Sequence, residues 1–176
     1  MIFSRTKLPG VYEIDVDRKS DERGFFARTW CQGEFAAHGL SSKLVQSSLS
    51  FNAYKGTLRG MHYQLAPFAE CKLVRCTQGA IYDVVLDLRP DSPACRQWVA
   101  VELTSERRNM IYIPEGCAHG FLTLTDSSEV FYQMSNVYNA DAARGFRWND
   151  PAFSFSWPAP VTVISERDRT YLDFVS

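Results

Sequence analysis

The sequence predicts an all-β protein of the sandwich, barrel or jelly-roll type. Short runs rich in β-branched and aromatic residues recur at nearly regular spacing, and turn-forming residues separate them. Many short strands with this spacing are typical of folds in which antiparallel sheets pack face to face or close on themselves. The predicted strands are Val11–Val16, Lys72–Cys76, Ile81–Leu88, Trp98–Leu103, Met110–Ile113, Phe121–Leu124 and Val130–Met134. The turns between strands include Lys55-Gly56, Gln78-Gly79, Arg89-Pro90-Asp91 and Thr125-Asp126-Ser127.

One helix is predicted, over Cys31–His38. Thr29 precedes it and is expected to be the N-cap, because a threonine hydroxyl accepts a hydrogen bond from the first helical turn. Gly39 follows it, where a left-handed residue ends many helices. The chain contains no internal repeat and no linker, so residues 1–176 are expected to form one domain.

The composition is that of an ordinary globular protein and argues against several classes of partner. Of the 176 residues, 45% are apolar and 22% are charged, and the formal net charge is −1. Lysine and arginine are dispersed, which argues against nucleic acid because phosphate backbones bind concentrated basic faces. No apolar run approaches the ~20 residues of a membrane-spanning helix, so no membrane partner is expected.

The amino-terminal residues and the cysteines indicate a cytoplasmic protein. The first 17 residues lack the apolar core of a secretory signal. The five cysteines are odd in number and include no CxxC pair. Reduced thiols explain this pattern better than a disulfide framework or a zinc site.

Strand parity places several polar side chains on the inside of the predicted sheets. Residues two apart on a strand share a face, so His62 lies beside Gln64 and Lys72 lies beside Glu70. An inward lysine is informative because burying an ammonium costs free energy unless it is paired, although Glu70 is also its simplest partner. His119 adds a second histidine at the end of another strand. Such a set is able to remove a proton from carbon and return one elsewhere.

Tyr132 lies on a predicted strand whose alternate residues, Val130 and Met134, are apolar. Taken alone it is a core tyrosine whose hydroxyl meets a backbone carbonyl. A catalytic role for Tyr132 is therefore expected only if it lies close to the other inward-pointing polar residues.

The same spacing also permits a metal site. The array containing His62, Glu70 and His119 resembles the two cupin motifs, and these three would form the two-histidine, one-carboxylate set that non-haem iron uses. Metal-binding cupins have a second histidine where this chain has Gln64, and an amide oxygen is a weak ligand for a transition metal. The ammonium of Lys72 would also repel a cation in the same cavity. We therefore predict a pocket with no metal and no other cofactor.

A series of short motifs over nearly the full length resembles the dTDP-4-dehydrorhamnose 3,5-epimerase family, whose substrates are nucleotide-diphospho-4-keto-6-deoxysugars. So many matches in one order are far more specific than the cupin spacing alone. The motifs are Asp21-x-Arg23-Gly24-x-Phe26, Gly56-x-Leu58-Arg59-Gly60-Met61-His62-Tyr63-Gln64, Glu70-x-Lys72-Leu73-Val74-Arg75-Cys76, Gly79-x-Ile81-Tyr82-Asp83-Val84, Ser92-Pro93, Ile113-Pro114-x-Gly116-x-Ala118-His119-Gly120-Phe121, Glu129-Val130-x-Tyr132, Trp148-Asn149-Asp150-Pro151 and Ile164-Ser165-x-Arg167-Asp168.

The resemblance implies a fold, an assembly and a reaction. The fold is a cupin-type jelly roll (a double-stranded β-helix) with short peripheral helices, and the assembly is a homodimer whose amino-terminal strands cross to the partner. The reaction inverts the carbons that flank a C4 ketone, through an enolate that is protonated on the opposite face. By resemblance His62 is the base, Asp168 orients it and Tyr132 is the opposing acid, while Lys72 and His119 stabilise the enolate oxygen.

The resemblance also implies the residues that bind the nucleotide part of the substrate. Arg59 and Arg23 match positions that contact the diphosphate, with Arg23 reaching over from the other subunit, and a guanidinium suits phosphate through its forked, permanent charge. Tyr138 and Phe26 match aromatic positions of the nucleotide pocket, and Gln46 matches a polar one.

Several residues depart from the family pattern in these nucleotide-facing segments. Arg28 stands where the family often has glutamate, and Ser48 where it commonly has asparagine. Ala140 and Ala143 replace the usual proline and glutamate. Because an arginine offers donors where a carboxylate offers acceptors, we hypothesise that the nucleobase differs from thymine, with CDP- or GDP-linked ketosugars as candidates.

Other functions fit the same motifs. The chain is also compatible with a C3-only epimerase, with an isomerase that moves the keto group from C4 to C3, and with a non-enzymatic sugar-binding cupin. A metal-dependent oxygenase is the remaining alternative. Retention of His62, Asp168, Tyr132 and Lys72 together favours an enzyme, with a nucleotide-diphosphosugar as its substrate.

Overall fold

The computed structural model describes residues 1–174, so Val175 and Ser176 of the predicted domain lie outside the described residues. Within residues 1–174 the chain forms fourteen strands and two short helices. The strands are β1 (Ile2–Arg5), β2 (Tyr12–Asp15), β3 (Lys19–Asp21), β4 (Gly24–Phe26), β5 (Gln46–Asn52), β6 (Thr57–Gln64), β7 (Lys72–Gln78), β8 (Ala80–Asp87), β9 (Trp98–Thr104), β10 (Met110–Ile113), β11 (Cys117–Thr123), β12 (Ser128–Met134), β13 (Ala143–Gly145) and β14 (Val163–Ile164). The helices are α1 (Gln32–Ala37) and α2 (Glu166–Thr170).

Two sheets pack against each other as a jelly roll, which confirms the predicted all-β fold. The first sheet has the order β1-β2-β10-β7-β12-β5, and the second has the order β13-β6-β11-β8-β9, with β14 added parallel to β6. All other pairings are antiparallel, and β3 and β4 form a separate hairpin. The core between the sheets consists of buried apolar side chains, among them Val74, Ile81, Leu103, Phe121 and Val130.

The outer faces of the two sheets are covered by different parts of the chain. Phe35 of α1 packs with Ile14 and Met110 on the outside of the first sheet. Phe146 and Phe153, from the segment that follows β13, pack on the outside of the second sheet. These covers leave the inner faces of both sheets free to shape a cavity at one end of the roll.

The observed helix α1 corrects the predicted cap. Its N-cap is Cys31, whose carbonyl accepts the first helical hydrogen bond from the Phe35 N–H at 3.0 Å, so the prediction for Thr29 is wrong. Gly39 has a φ of +70° and donates its N–H to the Ala36 carbonyl at 2.9 Å, which confirms the predicted left-handed end. Neither helix of residues 1–174 has the length and apolar character that crossing a membrane requires.

Two glycines allow β6 and β11 to approach each other unusually closely. A Cβ on Gly60 would lie 2.5 Å from the Gly120 Cα, and a Cβ on Gly120 would lie 2.8 Å from the Arg59 carbonyl oxygen. Gly60 also has a φ of +127°, a conformation that side-chain-bearing residues rarely adopt. Just beyond this contact, His62 and His119 lie directly opposite each other on the two strands.

Candidate active site

A cavity of about 460 Å³ opens between the inner faces of the two sheets. The residues that strand parity predicted to point inward, namely His62, Gln64, Glu70 and Lys72, all line this cavity. Eight of the predicted site residues line the cavity: Gln46, Ser48, Arg59, His62, Lys72, His119, Tyr132 and Tyr138.

His62 is held by a carboxylate that arrives from the far end of the chain. Its Nε2–H donates to Asp168 Oδ1 at 2.7 Å, and Asp168 Oδ2 accepts the Gly60 backbone N–H at 3.2 Å. Burial raises the pKa of Asp168, but the hydrogen bonds and charge of its partners, His62 first, outweigh burial and leave the pKa below its usual value. Asp168 is thus ionised, and the lone pair on His62 Nδ1 remains available to a substrate.

His119 has a similar partner that is more deeply buried. Its Nδ1 lies 3.4 Å from Asp83 Oδ2, and Asp83 is completely inaccessible to solvent. Asp83 Oδ1 has no hydrogen-bond partner among residues 1–174. Burial raises the pKa of Asp83, and the charge of His119 offsets only part of that effect.

Tyr132 projects from β12 in the first sheet, whereas His62 projects from β6 in the second. The Tyr132 ring meets the His119 ring edge-on, with 6.1 Å between the centroids. Its hydroxyl makes no hydrogen bond to any other residue between 1 and 174, so it is free to meet a ligand. Burial raises the pKa of this phenol above its usual value, which keeps it protonated at neutral pH.

Lys72 enters the same cavity already paired. Its ammonium donates to Glu70 Oε1, and Gln64 Nε2 donates to Glu70 Oε2. The exposed fractions are 13% for the Lys72 side chain and 6% for that of Glu70. The Lys72 ammonium is therefore held at the cavity wall and remains partly accessible to solvent.

The remaining predicted residues that line the cavity are more open to solvent. Arg59 Nε donates to Asn52 Oδ1 at 2.7 Å, and Asn52 is buried. The Tyr138 N–H donates to Gln46 Oε1 at 3.1 Å, and the Tyr138 residue is 58% exposed. Arg59 thus lies by the last residue of β5 and Tyr138 by its first, with Ser48 beside Gln46.

Three predicted substrate-binding residues do not line the cavity of their own chain. Arg23 lies at the turn of the β3–β4 hairpin and pairs with Asp21, and Phe26 is 77% exposed at its end. Arg28 pairs with Glu34 at 2.6 Å, near the start of α1. Within a single chain none of these three residues is among those that line the cavity.

Sequence reasoning assigned no role to Arg167, although it lines the cavity. Arg167 sits on α2 next to Asp168 and donates from Nε to the Tyr171 hydroxyl at 2.8 Å. The sequence signal that would have identified Arg167 is its position next to Asp168. A helix that brings the Asp168 carboxylate to His62 also brings the preceding residue to the rim of the cavity.

The candidate metal ligands are each committed to another partner. Asp168 pairs with His62, Lys72 with Glu70, and Asp83 with His119. Among residues 1–174, no group of three or more His, Cys, Asp or Glu side chains is placed to hold a metal ion. The residues present instead suit acid–base chemistry, since a base, a protonated phenol and a cation share one cavity.

Comparisons with known proteins agree with this geometry. The family model described as dTDP-4-dehydrorhamnose 3,5-epimerase matches residues 5–175. A protein of that name from Shigella flexneri is 40% identical over 172 residues, covering 97% of this chain and 94% of its own.

Solved structures with the same name are similar over nearly their whole length. The structure from Elizabethkingia anophelis has a TM-score of 0.96 at 33% identity, covering 99% of this chain and 96% of its own. The one from Bacillus anthracis, which has TDP and pyrophosphate bound, has a TM-score of 0.94 at 34% identity, covering 98% of this chain and 99% of its own.

One relative found by sequence comparison has a different name. This dTDP-4-dehydrorhamnose 3-epimerase from Streptomyces niveus is 34% identical, covering 94% of this chain and 80% of its own.

Proposed function

The chain belongs to the dTDP-4-dehydrorhamnose 3,5-epimerase family, and we propose that it inverts both C3 and C5 of a nucleoside-diphosphate-linked 4-keto-6-deoxyhexose. It is an isomerase of deoxysugar biosynthesis. The observation that carries the proposal is the placement of the His62–Asp168 pair and the protonated Tyr132 on opposite sheets of one cavity.

The first half of the reaction is removal of a proton from the carbon beside the ketone. His62 Nδ1 takes this proton, the C–H bond breaks, and its electron pair moves into the ketone to form an enolate. The imidazolium that results is stabilised by Asp168, which lies 2.7 Å from Nε2 and is already ionised. A general base of this kind contributes roughly 10²- to 10⁴-fold to a rate.

The second half returns a proton to the same carbon from the other side. Tyr132 donates its hydroxyl proton, a new C–H bond forms on the opposite face, and the enolate returns to the ketone. The tyrosinate then regains a proton and the imidazolium loses one, both by exchange with water. Inversion results because the two groups stand on opposite sheets.

Negative charge develops on the ketone oxygen between these two steps. Lys72 and His119 provide a cation and an N–H at the cavity wall, where the oxygen of the enolate is stabilised more strongly than that of the ketone. This difference in interaction is what lowers the barrier.

The more exposed residues of the cavity bind the nucleotide. Arg59 contacts the diphosphate and Tyr138 lies against the base, with Gln46 and Ser48 beside them. Thymine is the base we expect, because TDP is bound in the similar Bacillus anthracis structure. The reversed hydrogen-bonding character of Arg28 keeps CDP- and GDP-linked sugars as the alternative, and calorimetric titration with dTDP, CDP and GDP decides between them.

The complete site is assembled from two copies of this chain. The β3–β4 hairpin carries Arg23 and Phe26 away from its own cavity, and the side chain of Arg23 is 83% exposed. The edge strand β5 also exposes Leu49 (57%) and Phe51 (53%) on its outer face. A homodimer covers these apolar residues and brings each hairpin to the neighbouring cavity.

The activity belongs in the cytoplasm, since all five cysteines carry free thiols. Burial raises the pKa of Cys76 to about 11 and that of Cys117 to about 12, so these two thiols stay protonated and unreactive.

A C3-only epimerase is the second candidate, because a relative with that name is 34% identical to this chain. Incubation of dTDP-4-keto-6-deoxyglucose with the protein in heavy water, followed by NMR, separates the two. We expect deuterium at C3 and at C5. Deuterium at C3 alone would favour the second candidate, and no deuterium at either carbon would contradict epimerisation of this substrate.

A further inference from the structure

Glu70 is a buried carboxylate to which the reaction above gives no task. Its residue is 9% exposed, and both of its carboxylate oxygens are engaged by neighbouring side chains. Oε1 accepts from the Lys72 ammonium and Oε2 accepts from the Gln64 amide. Glu70 therefore lines the cavity with both of its oxygens already bound to protein side chains.

Gln64 is itself held by several hydrogen bonds, so the Glu70 carboxylate that it contacts is held as well. Gln64 Nε2 also donates to the Phe68 carbonyl at 2.8 Å, and its Oε1 accepts the Asn139 N–H at 2.7 Å. The Gln64 residue is 7% exposed. A buried amide with this many partners has little freedom to rotate, and neither does the carboxylate that it holds.

We propose that Glu70 is a positioning residue that holds the Lys72 ammonium where the enolate oxygen forms. This inference rests on the proposed function, in which Lys72 faces that oxygen. A lysine side chain has four flexible methylenes and a compact point charge, so its position depends on what anchors the nitrogen. The cavity then contains three basic groups, each with one buried carboxylate behind it: His62 with Asp168, His119 with Asp83 and Lys72 with Glu70.

The variant Glu70→Gln tests this role because it keeps the shape of the side chain and removes its charge. We expect kcat to fall about 10- to 100-fold, since small misplacements of a group that acts in the transition state have effects of this size. The Kd for dTDP should stay within about twofold, because the side chain of Glu70 bonds to Lys72 and Gln64 and to none of the residues assigned to the nucleotide. Glu129→Gln is the matched control, since Glu129 binds the Thr77 hydroxyl on the outer face of the same sheet.

A double-mutant cycle with Lys72→Met separates positioning from a general structural effect. If Glu70 acts through Lys72, then Glu70→Gln changes kcat by less than about twofold in the Lys72→Met background. Losses that multiply would overturn the proposal, and so would a weakening of dTDP binding as large as the loss in kcat.

Glu70→Asp keeps the charge and withdraws it by one methylene, and it also serves if Glu70→Gln does not fold. A lowered kcat with unchanged unfolding temperature supports positioning, whereas wild-type kcat overturns it. The proposed function fails separately, through a wild-type protein that exchanges no protons at C3 or C5. A wild-type protein that does exchange them, with Glu70→Gln equally active, refutes only the role of Glu70.

Discussion

Two groups of residues in the proposed site are held in different ways. His62, His119 and Lys72, the proposed catalytic group, stand on long central strands, and each has a buried carboxylate partner. In the proposed nucleotide-binding group, Tyr138 is exposed, and Arg23 lies outside the cavity of its own chain. The contrast teaches that the core of one chain holds the residues proposed for the chemistry, whereas those proposed for recognition lie at the surface and include one that only a second copy would bring to the cavity.

The largest effect should come from the proposed base. His62→Ala removes the group proposed to take the proton, so the rate of deuterium exchange at C3 and C5 should fall at least 10²-fold. NMR in heavy water measures this rate. His38→Ala is the matched control, because His38 stacks on Phe3 outside the cavity. A His62→Ala variant within tenfold of the wild type would show that another group is the base.

Tyr132→Phe should separate the two halves of the reaction. Without the hydroxyl, the overall inversion rate should fall about 10²-fold, because proton donation on the opposite face is lost. Exchange should survive better than inversion, since His62 still removes and returns protons on its own face. The control is Tyr82→Phe, whose ring packs on Trp157. Equal losses of exchange and inversion would contradict the proposal that His62 removes the proton and Tyr132 returns one on the opposite face.

Arg59→Met should weaken nucleotide binding more than it slows the chemical step. Loss of a charge-assisted contact to the diphosphate should weaken dTDP binding by roughly tenfold or more, while kcat at saturation changes less. Calorimetry and steady-state kinetics measure the two quantities. Arg5→Met provides the control, because Arg5 is exposed on β1. A loss confined to kcat would mean that Arg59 belongs to the catalytic machinery.

Mixing two inactive variants tests whether the hairpin serves the neighbouring site. If Arg23 acts in the partner's cavity, a heterodimer of His62→Ala with Arg23→Met has one site that carries both changes and one that carries neither. Equilibrated mixtures should then recover roughly a quarter of wild-type activity, since half of the dimers are mixed and each has one intact site. No recovery after subunit exchange would place Arg23 in its own chain's site.

The smallest effect concerns stability at low pH. The pKa of Asp168 is lower in the folded protein than its ordinary value, so its ionised form adds stability above the ordinary pKa of about 3.9. That contribution is lost as the pH falls through the folded-state pKa. Asp168→Asn should therefore flatten the acid side of the stability profile, measured by urea unfolding at several pH values. Asp21→Asn should change little, because Asp21 pairs with Arg23 in solvent.

The sequence predicted the central strands better than the peripheral elements. The runs around Tyr132 and Lys72 are short and contain β-branched or aromatic residues, so their strand type was predictable, and residues two apart could then be assigned to one face. The hairpin β3–β4 is exposed at every position and therefore has no burial pattern to reveal it. Helix α2 was missed because five residues are too few to show helical periodicity.

The sequence indicated which residues are candidates for the site better than it indicated which of them pair with each other. Asp168 was identified only by resemblance, because 106 residues separate it from His62. Arg167 was overlooked for the same reason, since its position follows from the docking of α2 and not from its own surroundings. Gln64 looked like a failed metal ligand in the sequence, whereas in the fold it supports Glu70.

The late position of Asp168 has a consequence for biosynthesis on the ribosome. Strands β1 to β12 end at Met134, so the whole first sheet and the β6-β11-β8-β9 part of the second are synthesised well before α2 emerges. While the last segment is still inside the exit tunnel, the nascent chain possesses the imidazole but lacks the anion behind it. Premature termination before residue 165 would leave His62 without the carboxylate that orients its imidazole.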